Sequence, residues 1–169
     1  SNTTIYSEGA GLSMPYSEAL LEEVLFQGNV AQSFGGGVYV YQGDLTVTGG
    51  TFRQNRSLGE SGGGIYASTG SSLHVTQSDF YTNTVDRGGG GIYNGGAFTL
   101  THSLLHGNSA GQTGGGVYNE LSDATLNDLT FRHNEADLGG GLYNTGVNGM
   151  SNPTLTDVLF EGNVASKGG

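Results

Sequence analysis

Gly88-Gly-Gly-Gly-Ile-Tyr93 decides the fold, because the chain writes its pattern again and again. Gly35-Gly-Gly-Val-Tyr39, Gly62-Gly-Gly-Ile-Tyr66, Gly114-Gly-Gly-Val-Tyr118 and Gly139-Gly-Gly-Leu-Tyr143 carry the same order of residues. Each is followed by an alternating Thr-rich segment and then by a Phe-x-x-Asn signature, with Leu105 in place of Phe once. The closing asparagines Asn29, Asn55, Asn83, Asn108, Asn134 and Asn163 are spaced 26, 28, 25, 26 and 29 residues apart. Asn2 falls on the same series, 27 residues before Asn29. Self-similarity at this period is the signature of a solenoid, in which one repeat cannot bury its apolar face until a neighbour stacks on it.

Within a repeat the segments alternate with period two and are rich in β-branched and aromatic residues, as strands are. The third repeat reads Ile65-Tyr-Ala67, then Leu73-His-Val75-Thr, then Asp79-Phe80-Tyr81, with Gly, Ser and Asn marking the turns. Three short strands in a rung of this length predict an all-β fold, a right-handed single-stranded parallel β-helix of about six rungs. At ~4.8 Å between strands of neighbouring rungs, the rod is about 30 Å long. The whole chain, 1–169, reads as one solenoid domain: 1–29 a degenerate first rung, 30–163 regular rungs, 164–169 the start of another. Gly9-Ala-Gly-Leu12 and Leu20-Leu-Glu-Glu-Val24 are the degenerate counterparts of the glycine motif and the Thr strand.

The expected core is a set of columns running along the rod. Phe26, Phe52, Phe80, Leu105, Phe131 and Phe160 form one, and Val38, Ile65, Ile92, Val117 and Leu142 another. The Thr strands add Leu45, Leu73 and Phe98, then Val47, Val75, Leu100, Leu126 and Leu155. The Asn column is expected to be structural, its amides bonding along the rod as in stacked cross-β ladders. Asn also tolerates the left-handed backbone of a sharp turn, so it is expected to sit at that turn itself.

Composition narrows the function. With 169 residues, 33 glycines, no cysteine and a formal charge of −10, the chain excludes disulfides and thiolate metal sites. Only Arg53, Arg56, Arg87, Arg132 and Lys167 are basic, and they are scattered. That argues against nucleic-acid binding, which needs clustered cations to displace counterions. No apolar run is long enough to span a bilayer as a helix. A solenoid end exposes apolar side chains and strand edges. No polar cap is legible near either terminus, so the expectation is neighbouring repeats of a longer array or end-to-end self-association.

The pairing of Gly-Gly-[Ile/Val/Leu] with Phe-x-x-Asn resembles the repeats of bacterial surface and autotransporter proteins. It is similar above all to the polymorphic outer-membrane proteins of chlamydiae and to right-handed β-helix repeat proteins of the pectin-lyase-like fold class. The resemblance covers nearly the whole chain. It implies an extracellular or cell-surface adhesin-type stalk without catalytic residues, cofactor or metal. The triple glycine and the consistent Tyr depart from that pattern, so no particular partner is inherited.

Several columns are candidates for contact with a partner. Tyr39, Tyr66, Tyr93, Tyr118 and Tyr143 alternate with the inward aliphatics, so they face outward beside a strip left bare by the glycines. Such a row suits a glycan or a host or cell-surface protein, since Tyr joins an apolar body to a polar tip; the alternative is a self-stacked ladder that shields the sheet. Outward pairs Thr46/Thr48, His74/Thr76, Thr99/Thr101, Thr125/Asn127 and Thr154/Thr156 resemble an ice-binding array, or are simply good strand residues. A further outward column, Glu23, Gly49, Gln77, His102, Asp128 and Asp157, holds the acids nearest to a metal site or a glycosidase pair. No basic residue accompanies them, and the reading is a solvated acidic strip. The role expected from these features is structural or adhesive; a carbohydrate-binding or polysaccharide-degrading β-helix is the alternative.

Overall fold

A computed structural model describes residues 8–146 and 151–168. Asn2, the first seven residues of the degenerate rung and Gly169 lie outside the described residues.

The chain winds as a parallel β-solenoid of about six turns, and its strands build three sheets. The first sheet collects the strands that follow the glycine triplets: Leu12–Pro15, Val38–Tyr41, Ile65–Ala67, Ile92–Asn94, Val117–Glu120 and Leu142–Thr145. Register along it is residue for residue, with Leu12, Val38, Ile65, Ile92, Val117 and Leu142 in one column. The second sheet contains both the Thr-rich strands and the Phe strands, which in later rungs run on as single bent strands such as Ala97–His106 and Thr125–Arg132. The third sheet is made by short segments after the asparagines, from Val30–Ala31 to Val164–Gly168. Those segments were not separate in the sequence pattern, because most are only two residues long.

Corners are made by single left-handed residues at fixed places. The bend between the Thr and Phe strands falls at Glu23, Gly49, Gln77, His102, Asp128 and Asp157, all with φ between 49° and 67°. The column taken from sequence as an outward strand position is therefore a turn. The next bend falls one residue before each Asn, at Gly28, Gln54, Thr82, Gly107, His133 and Gly162. The asparagines themselves are not left-handed, which corrects the expectation: their job is done by the side chain. A third bend uses the first glycine of each triplet, as at Gly89 with φ 70°.

The middle glycine has another reason. A Cβ on Gly90 would lie 2.3 Å from the Gly115 carbonyl oxygen and 2.8 Å from the Ser109 backbone nitrogen. Backbone meets backbone there, so no side chain fits. The triplet thus serves a close approach between neighbouring rungs; it does not leave a bare outer strip.

The core fills as expected in the middle of the rod. Phe52, Phe80, Leu105 and Phe131 are fully buried, as are Val38, Ile65, Ile92 and Val117. Phe26 and Leu142 are only partly buried, and Phe160 and Leu155 are exposed. Those last two face inward in register, but the last described rung has nothing stacked on it.

Candidate functional site

The Asn column is a continuous ladder. Asn29 Nδ2 donates to Asn55 Oδ1 at 2.9 Å, Asn55 to Asn83 at 3.0 Å, Asn83 to Asn108 at 2.9 Å, Asn108 to Asn134 at 3.0 Å and Asn134 to Asn163 at 2.9 Å. The same Oδ1 atoms accept the backbone N–H of the preceding Asn, while a second Nδ2 hydrogen goes back to the Phe carbonyl a rung earlier. Asn55, Asn83, Asn108 and Asn134 are fully buried with every amide group used. Nothing is left over for chemistry on a ligand.

A second ladder escaped the sequence reading. Asn94 Nδ2 donates to Asn119 Oδ1 at 3.0 Å, and Asn119 to Asn144 at 2.8 Å. Its signal was the Tyr-Asn pair of three consecutive repeats; earlier rungs place Val40 and Ala67 in the column, which hid it.

The Tyr column faces outward but is not a row of open rings. Successive centroids from Tyr39 to Tyr143 are 5.4, 4.8, 4.9 and 5.4 Å apart, with interplanar angles of 7° to 20°. Ring faces are pressed on one another, so what reaches solvent is edges and hydroxyls. Burial pushes the Tyr39 and Tyr118 hydroxyls up to about 12. Tyr93 is also raised, by burial and then by the hydrogen bond it donates to the Glu120 carboxylate. Tyr66 is raised by burial and by the carboxylates of Glu120, Glu8 and Glu60.

Beside this column runs a groove of about 260 Å³. Tyr66, Tyr93 and Tyr118 form one wall, and Glu60, Arg87 and Gln112 the rim opposite. The floor is the bridge column Ser61, Gly88 and Thr113, and Phe34, one rung earlier in that column, closes an end. The Phe34 ring lies tilted on Tyr66 with centroids 4.5 Å apart. Glu60 accepts from Arg87 across the rim. Phe34 and Gln112 were not singled out from sequence, and Gly88 was read only as part of the glycine motif, because the columns of the groove change residue type from rung to rung.

The other columns are placed as follows. The outward Thr pairs keep their register, Thr46 to His74 to Thr99 and Thr48 to Thr76 to Thr101, and Thr101 donates to the Thr76 hydroxyl at 2.9 Å. At the bend between the Thr and Phe strands His102 Nε2 lies 3.8 Å from Asp128 Oδ2, both exposed. Among the described residues no group of three or more His, Asp or Glu side chains converges as a metal site would require. Among them, too, no helix is long and apolar enough to cross a membrane.

Fold and faces together define a repeat solenoid whose rungs share one set of side-chain columns. Residues 1–165 match the family model of the right-handed beta helix region, and the chain belongs to that family. The family holds both pectate-lyase-like enzymes and non-enzymes, and such domains are commonly extracellular or at the cell surface. No curated protein and no solved structure matches the chain.

Proposed function

We propose that this chain is a non-catalytic, extracellular rod segment with a structural or adhesive role. The observation that carries the reading is the residue-for-residue register of the Tyr-bearing sheet, which turns one contact point into a series at rung spacing. Each additional rung then adds an identical, pre-positioned contact, and linked weak contacts raise overall avidity without any new chemistry. The Tyr face with its groove is the docking face, and the partner is a glycan or a cell-surface protein. Beads coated with the protein are expected to hold to cells, and Tyr66→Ser, Tyr93→Ser and Tyr118→Ser combined are expected to release them. Release of shortened or unsaturated products from any polysaccharide incubated with the protein would refute the non-catalytic part.

End-to-end stacking is the second reading. The last described rung exposes Leu155, Leu159, Phe160 and Val164 and has a concavity of about 390 Å³ lined by Gly139, Gly140, Gly141, Leu142, Phe160 and Asn163. A further β-helical rung, with an aromatic over Phe160, fits that surface. Sedimentation over a wide concentration range tests whether a second copy supplies it: particles that lengthen with concentration support the reading, and a constant mass rejects it.

A further inference from the structure

Gly88 lies in the floor of the groove, in a column that otherwise carries side chains. Its bridge column carries Phe34, Ser61, Thr113 and Leu138 at the equivalent places, so side chains are tolerated there. Gly88 is not among the left-handed glycines, so its backbone does not require glycine. A Cβ on it would stand 2.9 Å from Thr113 Oγ1, 3.4 Å from the Thr113 carbonyl oxygen and 3.5 Å from the Tyr118 ring, so a side chain at this place has to displace the Thr113 hydroxyl. Glycine at this place leaves the stretch of groove floor between Ser61 and Thr113 without a side chain.

We propose that the groove over Gly88 is a subsite for one uncharged sugar unit of a glycan laid along the rod. The inference rests on the docking-face reading above. The wall and floor offer hydroxyls from Ser61, Thr113, Tyr66 and Tyr118, and the rim offers the Gln112 amide. Hydroxyls and an amide both donate and accept, as a ring of sugar hydroxyls demands. Phe34 supplies an apolar stop at one end, whereas the stacked tyrosines contribute edges and hydroxyls but no free ring face. Charge sets the class. Glu60, Glu120 and Glu8 act on the tyrosines from around the groove, and Arg87 is the cation that lines it. A uronate carboxylate entering this field is repelled, and an uncharged residue is not.

Calorimetric titration with mannohexaose, cellohexaose, xylohexaose and hexagalacturonate tests the assignment. At least one uncharged hexaose is expected to bind and hexagalacturonate is not. Gly88→Leu, which displaces the Thr113 hydroxyl and puts a side chain on the groove floor, and Gln112→Ala, which removes an exposed rim amide, are each expected to weaken binding about tenfold, the order of one lost hydrogen-bonding contact. Circular dichroism and the thermal midpoint identify a Gly88→Leu protein that fails to fold, and Gln112→Ala then decides alone. Preference for hexagalacturonate, or uncharged-glycan binding indifferent to Gln112→Ala, overturns the subsite. If no sugar binds while coated beads still hold to cells through the Tyr face, the subsite falls and the docking face stands. If neither happens, both fall.

Discussion

Phe131 and Phe160 are stacked neighbours with centroids 4.9 Å apart, yet one is fully buried and the other 45% exposed. Leu126 and Leu155, paired in register, differ in the same way, at 1% and 41%. Both rungs carry an apolar residue at each of these inward positions, and their strands run in register. What differs is whether another rung lies on top. In a solenoid, burial is conferred by the neighbour and not by the residue, so stability is a property of rung pairs.

That contrast can be broken by substitution. Phe80→Ala in the middle is expected to cost about 3–5 kcal/mol, from lost burial and a cavity that stacked backbones cannot close. Phe160→Ala is expected to cost well under half of that, measured by urea unfolding of both variants. Equal costs would show that the last rung is covered in solution.

The ladder makes the next comparison. Asn108→Ala removes acceptors used by Asn83 and the donor that serves the Phe80 carbonyl and Asn134. Each buried group left without a partner costs about 1–3 kcal/mol, so the expected loss in chemical denaturation is several kcal/mol. Asn163→Ala touches a half-buried end of the ladder and is expected to lose less.

Alkali sharpens the picture of the outer face. Tyr39 and Tyr118 have hydroxyls raised from 10.0 to about 12 in the fold, so the folded state favours their protonated form. Their contribution is fully present below pH 10 and is lost as pH rises toward 12. Thermal midpoints are therefore expected to hold near neutrality and fall across that window. A Tyr39→Phe, Tyr118→Phe protein is expected to fall less steeply.

The smallest effect belongs to the groove rim. The Glu60–Arg87 pair is half exposed on both sides, and such pairs contribute about 0.2–1 kcal/mol. Arg87→Ala is expected to shift the midpoint barely at all, and a large shift would reveal a packing role for its stem.

How much of this was legible follows from what repeats. Phe80, Asn83 and Ile92 belong to columns that keep their chemistry through the rod, so period alone placed them on the right face and in the right register. The left-handed corners were not legible, because Gln77, His102 and Asp128 share a backbone angle and no side-chain chemistry. Nor was the purpose of the triple glycine, since the clash at Gly90 is with backbone brought from a neighbouring turn. Phe34, Gln112 and the place of Gly88 in the groove stayed hidden for the opposite reason. A site made by departure from a repeat looks, in sequence, like ordinary variation.

The buried amides have one further property. From Asn29 to Asn134 each amide gives one Nδ2 hydrogen to the Oδ1 of the later rung, so the accepting Oδ1 atoms all face the earlier rung. Their small dipoles therefore add as aligned peptide units do in a helix, with the positive pole toward Asn163 and the negative pole toward Asn29. The rod carries an arrow along its axis, and anything that meets it lengthwise meets two electrically different poles.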